Sequence, residues 1–322
     1  MPNPQPNRKA DEGQRPTEKE TTENQSAETP TPRFFVPRVR CYRPSSVLHG
    51  PFPSTRRSPE VYVHPSPRGP RLEPQNRTNI IIIDLDFSQR HRYFSLYDKG
   101  CLLDRVGWYS VTPELIADRI AERCRCDTVV DAFCGVGGNA IAFAKTCRRV
   151  IAIENDETRL RLARHNAAIY GVADRIEFIL GDFIQFAKTL AEREETGRTG
   201  RAVDVVFLSP PWGGPSYLHG SDPDLPSDPS ERPEFSLSDI TPIPGSELFK
   251  LVRRLTPNIA YYLPRNTNLQ EVSDLLTDAE GGGVEGKDKD RKVEVEEQRM
   301  RGKLKVLTCY FGGLARGQEH LF

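Results

Sequence analysis

The sequence lacks several features that would identify a membrane or secreted protein. It has no run of 18 apolar residues, and its N-terminus is polar rather than signal-like. Its 7 cysteines are odd in number and include no Cys-x-x-Cys pair, and Cys124-x-Cys126 has no second pair at the spacing of a zinc site. These absences predict a soluble intracellular protein that keeps its thiols reduced and holds no metal ion.

Net charge and internal repeats are also lacking. The 45 lysines and arginines balance the 45 aspartates and glutamates, so the global charge says nothing about binding to nucleic acid. No segment of the chain repeats elsewhere in it. The length of 322 residues leaves room for one sizeable domain with tails.

Residues 1–74 are predicted to form a disordered tail, because they hold 15 of the 27 prolines and few large aliphatic side chains. Within this tail, Arg33–Arg71 carries 8 arginines against a single acid, Glu60, with aromatic residues between them. Such a segment can bind RNA without sequence preference or carry a nuclear address. A solvated tail without a partner explains it equally well.

A glycine-rich motif lies near the middle of the chain. Thr128–Val130 predicts a buried strand that ends on Asp131, the turn Gly135–Gly138 follows, and a helical pattern begins at Asn139. Glycines let the backbone approach a ligand closely, and the start of a helix offers free N–H groups. About 20 residues further on, Glu154 ends the next apolar run, where a carboxylate can bind a ribose hydroxyl.

Two cofactors fit this motif. The spacing Gly135-x-Gly137-x-x-Ala140 matches the dinucleotide fingerprint, so the glycines alone leave NAD open. Asp131 favours S-adenosylmethionine, because an acid at the end of the strand suits a cationic amino group better than a pyrophosphate. A βαβ unit that binds no ligand is the third interpretation, and the two acids in register count against it.

A second motif, Ser209-Pro210-Pro211-Trp212, follows the predicted strand Val203–Leu208. It is therefore expected at the carboxyl edge of the sheet, where open α/β folds bind ligands. The Ser209 hydroxyl and the Pro210 carbonyl can accept hydrogen bonds from an amine, and Trp212 offers a flat face to a planar group. The alternative is that the motif is only a proline turn whose tryptophan packs in the core. The glycines that follow Trp212 argue against it, because they disfavour a regular element that would bury the ring.

The order of the predicted elements indicates the fold class. Strand and helix patterns alternate from Thr128 to Leu263, and a strand pair, Val293–Glu297 with Leu304–Tyr310, closes the chain. We expect a doubly wound α/β fold with a mostly parallel, seven-stranded sheet and a final antiparallel strand. We expect four segments along the chain: the tail 1–74, a helical N-terminal extension 75–127, the main domain 128–316 and a short tail 317–322. The polar segment 219–233 is a candidate lid.

Both motifs resemble those of the trimethylguanosine synthase family, which converts 7-methylguanosine RNA caps to the 2,2,7-trimethyl form. The similar stretches are Asp-Ala-Phe-Cys-Gly-Val-Gly-Gly-Asn from Asp131 and Ser-Pro-Pro-Trp-Gly-Gly-Pro from Ser209. The resemblance extends from about Phe87 to Gly313. It implies a class I, Rossmann-like methyltransferase with S-adenosylmethionine as its cofactor and 7-methylguanosine-capped RNA as its substrate. A lysine and a tryptophan of the family are missing, with Leu85 and Phe87 in their places.

The resemblance and the motifs together name the candidate site. The residues expected at the reacting amine are Ser209, Pro210 and Trp212. The residues that the resemblance implies for cap binding are Phe94, Asn166, Trp212 and Arg265. The residues expected to bind the cofactor are Thr112, Pro113, Asp131, Phe133, Gly135, Gly137, Glu154 and Asp182.

Several of these residues also have a local structural reason to be where they are. Thr112 is a good N-cap for a helix whose first residue is Pro113. Asp182 can cap the next helix as well as it can bind an adenine amino group. Phe94 and Tyr97 are three apart, as on one face of a helix, and can simply pack the extension onto the domain.

The implied activity is methyl transfer to the exocyclic N2 of the cap guanine on small nuclear and nucleolar RNAs. The resemblance further implies a monomer with ribonucleoprotein partners in the nucleus, the nucleolus or the cytoplasm, and no membrane partner. Two other functions stay open on the residues: methylation of an internal RNA guanine or another amine, and cap binding without catalysis. The intact set of Asp131, Glu154 and the Ser209–Trp212 motif argues against the last.

Overall fold

The computed structural model describes residues 40–41, 87–196, 203–213, 234–278 and 292–315. The candidate lid 219–233, the C-terminal tail 317–322 and all of the predicted N-terminal tail except Arg40–Cys41 lie outside these residues.

One mixed sheet forms the centre of the structure. Its strands are β1 (Arg40–Cys41), β2 (Thr128–Asp131), β3 (Arg149–Glu154), β4 (Ile176–Leu180), β5 (Val205–Leu208), β6 (Ile259–Pro264), β7 (Val293–Met300) and β8 (Lys303–Phe311). They stand in the order β1-β4-β3-β2-β5-β6-β8-β7.

Strands β2 to β6 run parallel to one another, and Val130 of β2 lies between Ile151 of β3 and Val206 of β5. Helices cover such a sheet on both faces, so its strands are apolar throughout instead of alternating. Every residue of β2, β5 and β6 is accordingly buried. The predicted doubly wound sheet of seven strands, β2 to β8, is confirmed.

The last strand, β8, runs antiparallel to both β6 and β7, as predicted. The turn between β7 and β8 is Arg301-Gly302, with φ of 50° and 76°. Positive φ at both central residues matches the twist of a two-residue hairpin. The short strand β1 pairs antiparallel with β4 and was not predicted.

Eight α-helices lie among the described residues: α1 (Arg90–Tyr93), α2 (Arg105–Ser110), α3 (Glu114–Arg123), α4 (Gly138–Thr146), α5 (Glu157–Ile169), α6 (Phe183–Glu195), α7 (Gly245–Arg253) and α8 (Leu269–Asp278). Within the described ranges, none is long and apolar enough to span a bilayer.

An aromatic cluster organises the segment before β2. Trp108 of α2 is buried, and the rings of Phe87, Tyr93 and Tyr97 lie 6.0, 6.3 and 5.6 Å from it. The prediction that Phe94 and Tyr97 share a helix face is wrong, because α1 ends at Tyr93 and Phe94 is extended, with φ of −137°. Its ring enters the core against Tyr170 at 6.1 Å.

The predicted N-terminus of α3 is wrong by one residue. Pro113 is the N-cap, and its carbonyl accepts a hydrogen bond from the N–H of Ala117 at 3.0 Å. Thr112 does not cap the helix. Its hydroxyl oxygen accepts a hydrogen bond from Nδ2 of Asn139 at 2.9 Å, which joins the segment before α3 to the first turn of α4.

A buried arginine fastens the β7–β8 hairpin to α3. Both terminal nitrogens of Arg123 donate to the Glu294 carboxylate, at 2.6 and 2.9 Å, and one also donates to the carbonyl of Leu314. The guanidinium lies 3.8 Å from the centre of the Tyr310 ring. A bidentate pair with a cation–π contact holds a planar group in one orientation. Arg123 therefore fixes the hairpin whose far end borders the cavity described next.

Candidate active site

A cavity of about 950 Å³ opens at the carboxyl ends of β2, β3 and β5. Open α/β sheets bind their ligands at this edge. The predicted site residues that line it are Thr112, Pro113, Phe133, Gly135, Glu154, Asp182, Ser209, Pro210 and Trp212. The two motifs, far apart in the sequence, thus border one space.

The two glycines of the first motif serve different purposes. Both have positive φ, 52° at Gly135 and 93° at Gly137. A Cβ added to Gly135 meets nothing within 4 Å, whereas one added to Gly137 lies 3.0 Å from Cα and Cβ of Ala163 on α5. Gly135 borders the cavity, and Gly137 permits the close packing of α5. The predicted cofactor contact of Gly137 stays a prediction beside this structural reason.

Alanine at each glycine should therefore give different results. Gly137→Ala adds a steric conflict to the cost of the left-handed backbone and should destabilise the protein by about 2–4 kcal/mol. Gly135→Ala should cost only about 1–2 kcal/mol but weaken cofactor binding, because its methyl group enters the cavity. Chemical denaturation and titration with S-adenosylhomocysteine test both. If the two variants lost the same stability and had the same affinity for S-adenosylhomocysteine, the different purposes given to Gly135 and Gly137 would be contradicted.

Asp131 is a fully buried acid behind the cavity wall at the end of β2. Burial raises the pKa of its carboxyl from 3.8 to about 7, and the nearby Glu154 adds to the rise. The N–H groups of Phe133 and Ala140 face the carboxyl and partly lower its pKa, yet neither carboxyl oxygen has a hydrogen bond to the described residues. A cation bound in the adjoining cavity would stabilise the ionised form.

Glu154 supports the glycine loop from β3. Its carboxyl oxygens accept hydrogen bonds from the N–H groups of Gly135 and Asp156, both at 3.0 Å, and Arg159 lies 3.8 Å away. Burial raises the pKa of Glu154, while these donors and the Arg159 guanidinium lower it. The carboxylate borders the cavity at the place predicted for a ribose contact, which stays a prediction.

Asp182 lies at the end of β4, where its carboxylate caps α6 by accepting a hydrogen bond from the N–H of Gln185 at 3.0 Å. The predicted capping role is confirmed. Asp182 is exposed and also lines the cavity. Beside it, the rings of Phe133 and Phe183 lie 5.5 Å apart and supply an apolar wall. This side of the cavity can take a flat, apolar group with a polar edge.

These residues fit S-adenosylmethionine better than a dinucleotide. A buried carboxyl that lacks hydrogen bonds to the described residues suits a cationic ammonium or sulfonium group. A pyrophosphate in the same place would lie beside two acids, Asp131 and Glu154. The open space over Gly135 gives a ligand close access to the backbone.

The second motif lies beside the first, because β5, which leads into it, pairs with β2. The Ser209 hydroxyl donates to the carbonyl of Phe133 at 3.4 Å, so its oxygen keeps acceptor capacity. The Pro211 carbonyl is held by the N–H and hydroxyl of Thr241 at 3.4 and 3.3 Å. Trp212 is half-buried, and its ring lies 5.4 Å from the ring of Tyr262 at an angle of 37°. One side of the ring thus packs against the core, and the residue also lines the cavity.

Three residues that the resemblance implies for cap binding do not line the cavity. Phe94 is buried in the core, and Arg265 is exposed just after β6. Asn166 is fully buried: its amide donates to the carbonyls of Leu102 and Val136 and accepts from the N–H of Leu102. Asn166 thus joins the N-terminal extension to the glycine loop. The cap contacts of these residues stay predictions.

Other residues line the cavity without having been predicted: Arg92, Tyr93, Arg159, Tyr262, Met300 and Lys305. Lys305 and Met300 come from the last hairpin, and only the antiparallel pairing of β8 with β6 brings them to this edge. Tyr262 could have been found from the sequence, because it precedes the end of a predicted strand whose neighbour carries Trp212.

Comparison with known proteins gives a consistent result. The sequence model described as RNA cap guanine-N2 methyltransferase matches residues 126–314. The trimethylguanosine synthase of Schizosaccharomyces pombe is 36% identical over 238 residues, 71% of this chain and 87% of that protein. The Saccharomyces cerevisiae trimethylguanosine synthase is 32% identical over 233 residues, 70% of this chain and 66% of that protein.

Among solved structures, a SAM-dependent methyltransferase from Agrobacterium tumefaciens aligns with a TM-score of 0.42 and 15% identity, covering 63% of each chain. That similarity is too low to support any inference about function. The family match covers both motifs and all the strands from β2 to β8. The chain belongs to the RNA cap guanine-N2 methyltransferase family.

Proposed function

We propose that the cavity is the active site, in which the chain methylates the exocyclic N2 of a 7-methylguanosine RNA cap. The observation that carries the proposal is that Ser209, Pro210 and Trp212 border the same space as the glycine loop and Glu154. An amine acceptor and a methyl donor then have separate walls in one cavity. S-adenosylmethionine supplies the methyl group from its sulfonium centre.

The acceptor nitrogen is a weak nucleophile, because its lone pair is delocalised into the guanine ring. The residues around it must therefore position it. We infer that the Ser209 oxygen and the Pro210 carbonyl accept hydrogen bonds from the two N–H groups of N2. Pro210 has a fixed φ and Ser209 is tied to Phe133, so both acceptors are preorganised. Alignment of reactants can lower a barrier by roughly 7–11 kcal/mol in the best cases.

No strong base is needed in this scheme. Neither the Ser209 hydroxyl nor the Pro210 carbonyl is basic enough to remove a proton from a neutral arylamine. The nitrogen becomes acidic once it carries the new methyl group and a positive charge. Water at the mouth of the cavity can then take the proton, and the two acceptors only hold the N–H groups in place.

Trp212 is proposed to select the methylated cap. The 7-methylguanine base is a delocalised cation, and tryptophan is the best aromatic partner for a cation. Tyr262 supports one side of the indole at 5.4 Å, and the indole borders the cavity. A cation–π contact contributes roughly 0.5–2 kcal/mol, which favours 7-methylguanine over guanine by roughly 2- to 30-fold.

Two cations at the cavity, Arg92 and Lys305, are proposed to bind the cap phosphates. They would supply positive charge at the cap phosphates, where the resemblance implies Arg265 and the lysine that is missing here. Arg92 comes from α1 and Lys305 from β8, so the N-terminal extension and the last hairpin would both contribute to substrate binding. Phosphate recognition by separated point charges depends strongly on ionic strength.

The proposed activity can be tested with labelled S-adenosylmethionine and a 7-methylguanosine-capped dinucleotide. We expect transfer of label to N2 and little transfer to an unmethylated cap or to uncapped RNA. Preferred labelling of uncapped RNA would overturn the cap assignment. Binding of the capped dinucleotide without any transfer of label would leave only a cap-binding module.

The phosphate contact has a matched control on the same strand. Lys305→Ala should raise KM for capped dinucleotide by about 5- to 30-fold, with a smaller change in kcat, because a charge-assisted contact of about 1–2 kcal/mol is lost. Lys303→Ala removes an equal charge that does not line the cavity and should have little effect. Equal effects of the two substitutions would argue for a general electrostatic role.

The finer aspects of the function follow from the relatives. Because both are trimethylguanosine synthases, we propose that two methyl groups are added to N2. Small nuclear and nucleolar RNAs are the substrates that the resemblance of the two motifs implies. The same relatives support a nuclear or nucleolar location. Mass spectrometry of the product after long incubation distinguishes one added methyl group from two.

A further inference from the structure

Two cysteines lie near one another at the amino ends of β2 and β3, the edge of the sheet opposite the cavity. Cys126 precedes β2 by two residues, and Cys147 precedes β3 by two residues. The two segments run side by side, because Thr128 pairs with Arg149 and the N–H of Arg148 donates to the carbonyl of Cys126 at 3.3 Å. Cys126 and Cys147 therefore occupy matching positions on adjacent segments.

The sulfurs of Cys126 and Cys147 are in contact. The Cys126 thiol donates to Sγ of Cys147 at 3.9 Å, and Cys126 is partly exposed while Cys147 is buried. Across the part of the chain that the structure describes, no other two cysteine sulfurs are within hydrogen-bonding distance. Nor do the described residues contain a group of three or more His, Cys, Asp or Glu side chains arranged to hold a metal. Among the described residues, the contact thus joins two thiols and belongs to no larger set of metal ligands.

The surroundings of this pair differ from those of the other described cysteines. The Cys126 thiol, the Thr146 hydroxyl and the Cys126 N–H lower the pKa of Cys147 to about 7. Burial raises the pKa of Cys101 and of Cys309 to about 12. Burial, with Asp131 and Glu154 nearby, also raises the pKa of Cys134 in the glycine loop. Because the thiolate is the reactive form, this pair should oxidise before the other described cysteines.

We propose that Cys126 and Cys147 form a reversible disulfide when the protein meets hydrogen peroxide. One sulfur of the pair attacks a peroxide oxygen as its thiolate, the O–O bond breaks, and the departing hydroxide takes up a proton to leave as water. The resulting sulfenic acid is attacked by the sulfur of the other cysteine, which loses its proton. The S–S bond forms, the S–O bond breaks, and a second water leaves, so two thiols and one peroxide give one disulfide and two waters.

The bond would close a loop that contains the whole first motif. The segment between the two cysteines holds β2, the glycine turn and α4. Linking its ends restricts the unfolded chain and should stabilise this part of the domain. The pair lies at the edge away from the cavity, so methyl transfer should continue. This inference does not depend on the proposed function.

Peptide mapping tests the proposal directly. Trypsin cleavage after Arg125, Lys145 and Arg148 places the two cysteines on the separate peptides 126–145 and 146–148. After brief treatment of the full chain with hydrogen peroxide and alkylation of free thiols, we expect these peptides to be linked, and dithiothreitol to separate them. Fragmentation must assign the link to Cys126, because Cys134 lies on the same peptide. A link through Cys134, or no link under peroxide, would overturn the proposal.

Single variants give a second measurement. Cys126→Ser and Cys147→Ser should each abolish the link. The buried Cys101→Ser variant is the matched control and should keep the link. Oxidised wild type should melt roughly 5 °C or more above the reduced form. An unchanged or lower melting temperature with the link in place would refute the stabilising role.

Discussion

Trp212→Ala should lose most of its affinity for a 7-methylguanosine cap while it retains the cofactor. Base stacking on an aromatic ring contributes about 1–3 kcal/mol, so cap binding should weaken by roughly 10- to 100-fold, and turnover should fall with it. Trp212→Phe should recover part of both, because a smaller ring still presents a π face to the cation. Titrations with a cap analogue and with S-adenosylhomocysteine on one folded sample measure the two affinities separately.

The chain contains only two tryptophans, which makes fluorescence a sharp control. Trp108 is buried in the aromatic cluster of the extension, away from the lining of the cavity. Quenching by a cap analogue should therefore persist in Trp108→Phe and disappear in Trp212→Phe. A parallel loss of both ligands in Trp212→Ala, with a lowered melting temperature, would show that the ring serves packing on Tyr262 and would remove the stacking role.

Asp131→Asn should stabilise the ligand-free protein at pH 8 and weaken cofactor binding. The buried carboxyl has a pKa of about 7 instead of 3.8, so ionising it in the folded protein costs on the order of a few kcal/mol. Asparagine has nearly the same shape and no charge to bury. Without the carboxylate, a cationic ligand loses a charge-assisted partner of about 1.5–3 kcal/mol, or roughly 10- to 100-fold in affinity.

The pH dependence has a definite sign. Between pH 4 and 7 the folded protein keeps a proton on Asp131 that the unfolded chain releases, so raising the pH through this window lowers the stability of the wild type. The Asp131→Asn variant should lack this component. Binding of S-adenosylmethionine near pH 7 should release a fraction of a proton from Asp131, which calorimetry in two buffers of different ionisation enthalpy detects.

Asp127→Asn is the matched control for this substitution. Asp127 lies at the other end of β2, and its side chain is largely exposed beside Arg148. Its replacement should leave both cofactor affinity and the pH profile close to wild type. Unchanged cofactor affinity in Asp131→Asn would remove the residue from the binding site. A less stable variant at pH 8 would mean that the carboxylate is well solvated or paired in the folded protein.

The local sequence predicted the two motifs well because each depends on its own residues. Glycines at 135 and 137 take the positive φ that the turn requires, and apolar runs buried on both faces form the parallel strands. Helix caps were less predictable. The Thr112 hydroxyl accepts a hydrogen bond from the side chain of Asn139 instead of capping α3, because a tertiary partner competes with the local one. Phe94 likewise leaves the helical path to fill the core.

The sequence by itself determined the α/β class, the order of strands and helices, and the position of both motifs at strand ends, since these follow from hydrophobic periodicity and turn chemistry. Only the tertiary structure decided which distant residues share the cavity. The antiparallel return of β8 brings Lys305 to the site, and the packing of α5 makes Asn166 a buried link between Leu102 and Val136. Such contacts depend on how elements pack across the sheet, which no local pattern encodes.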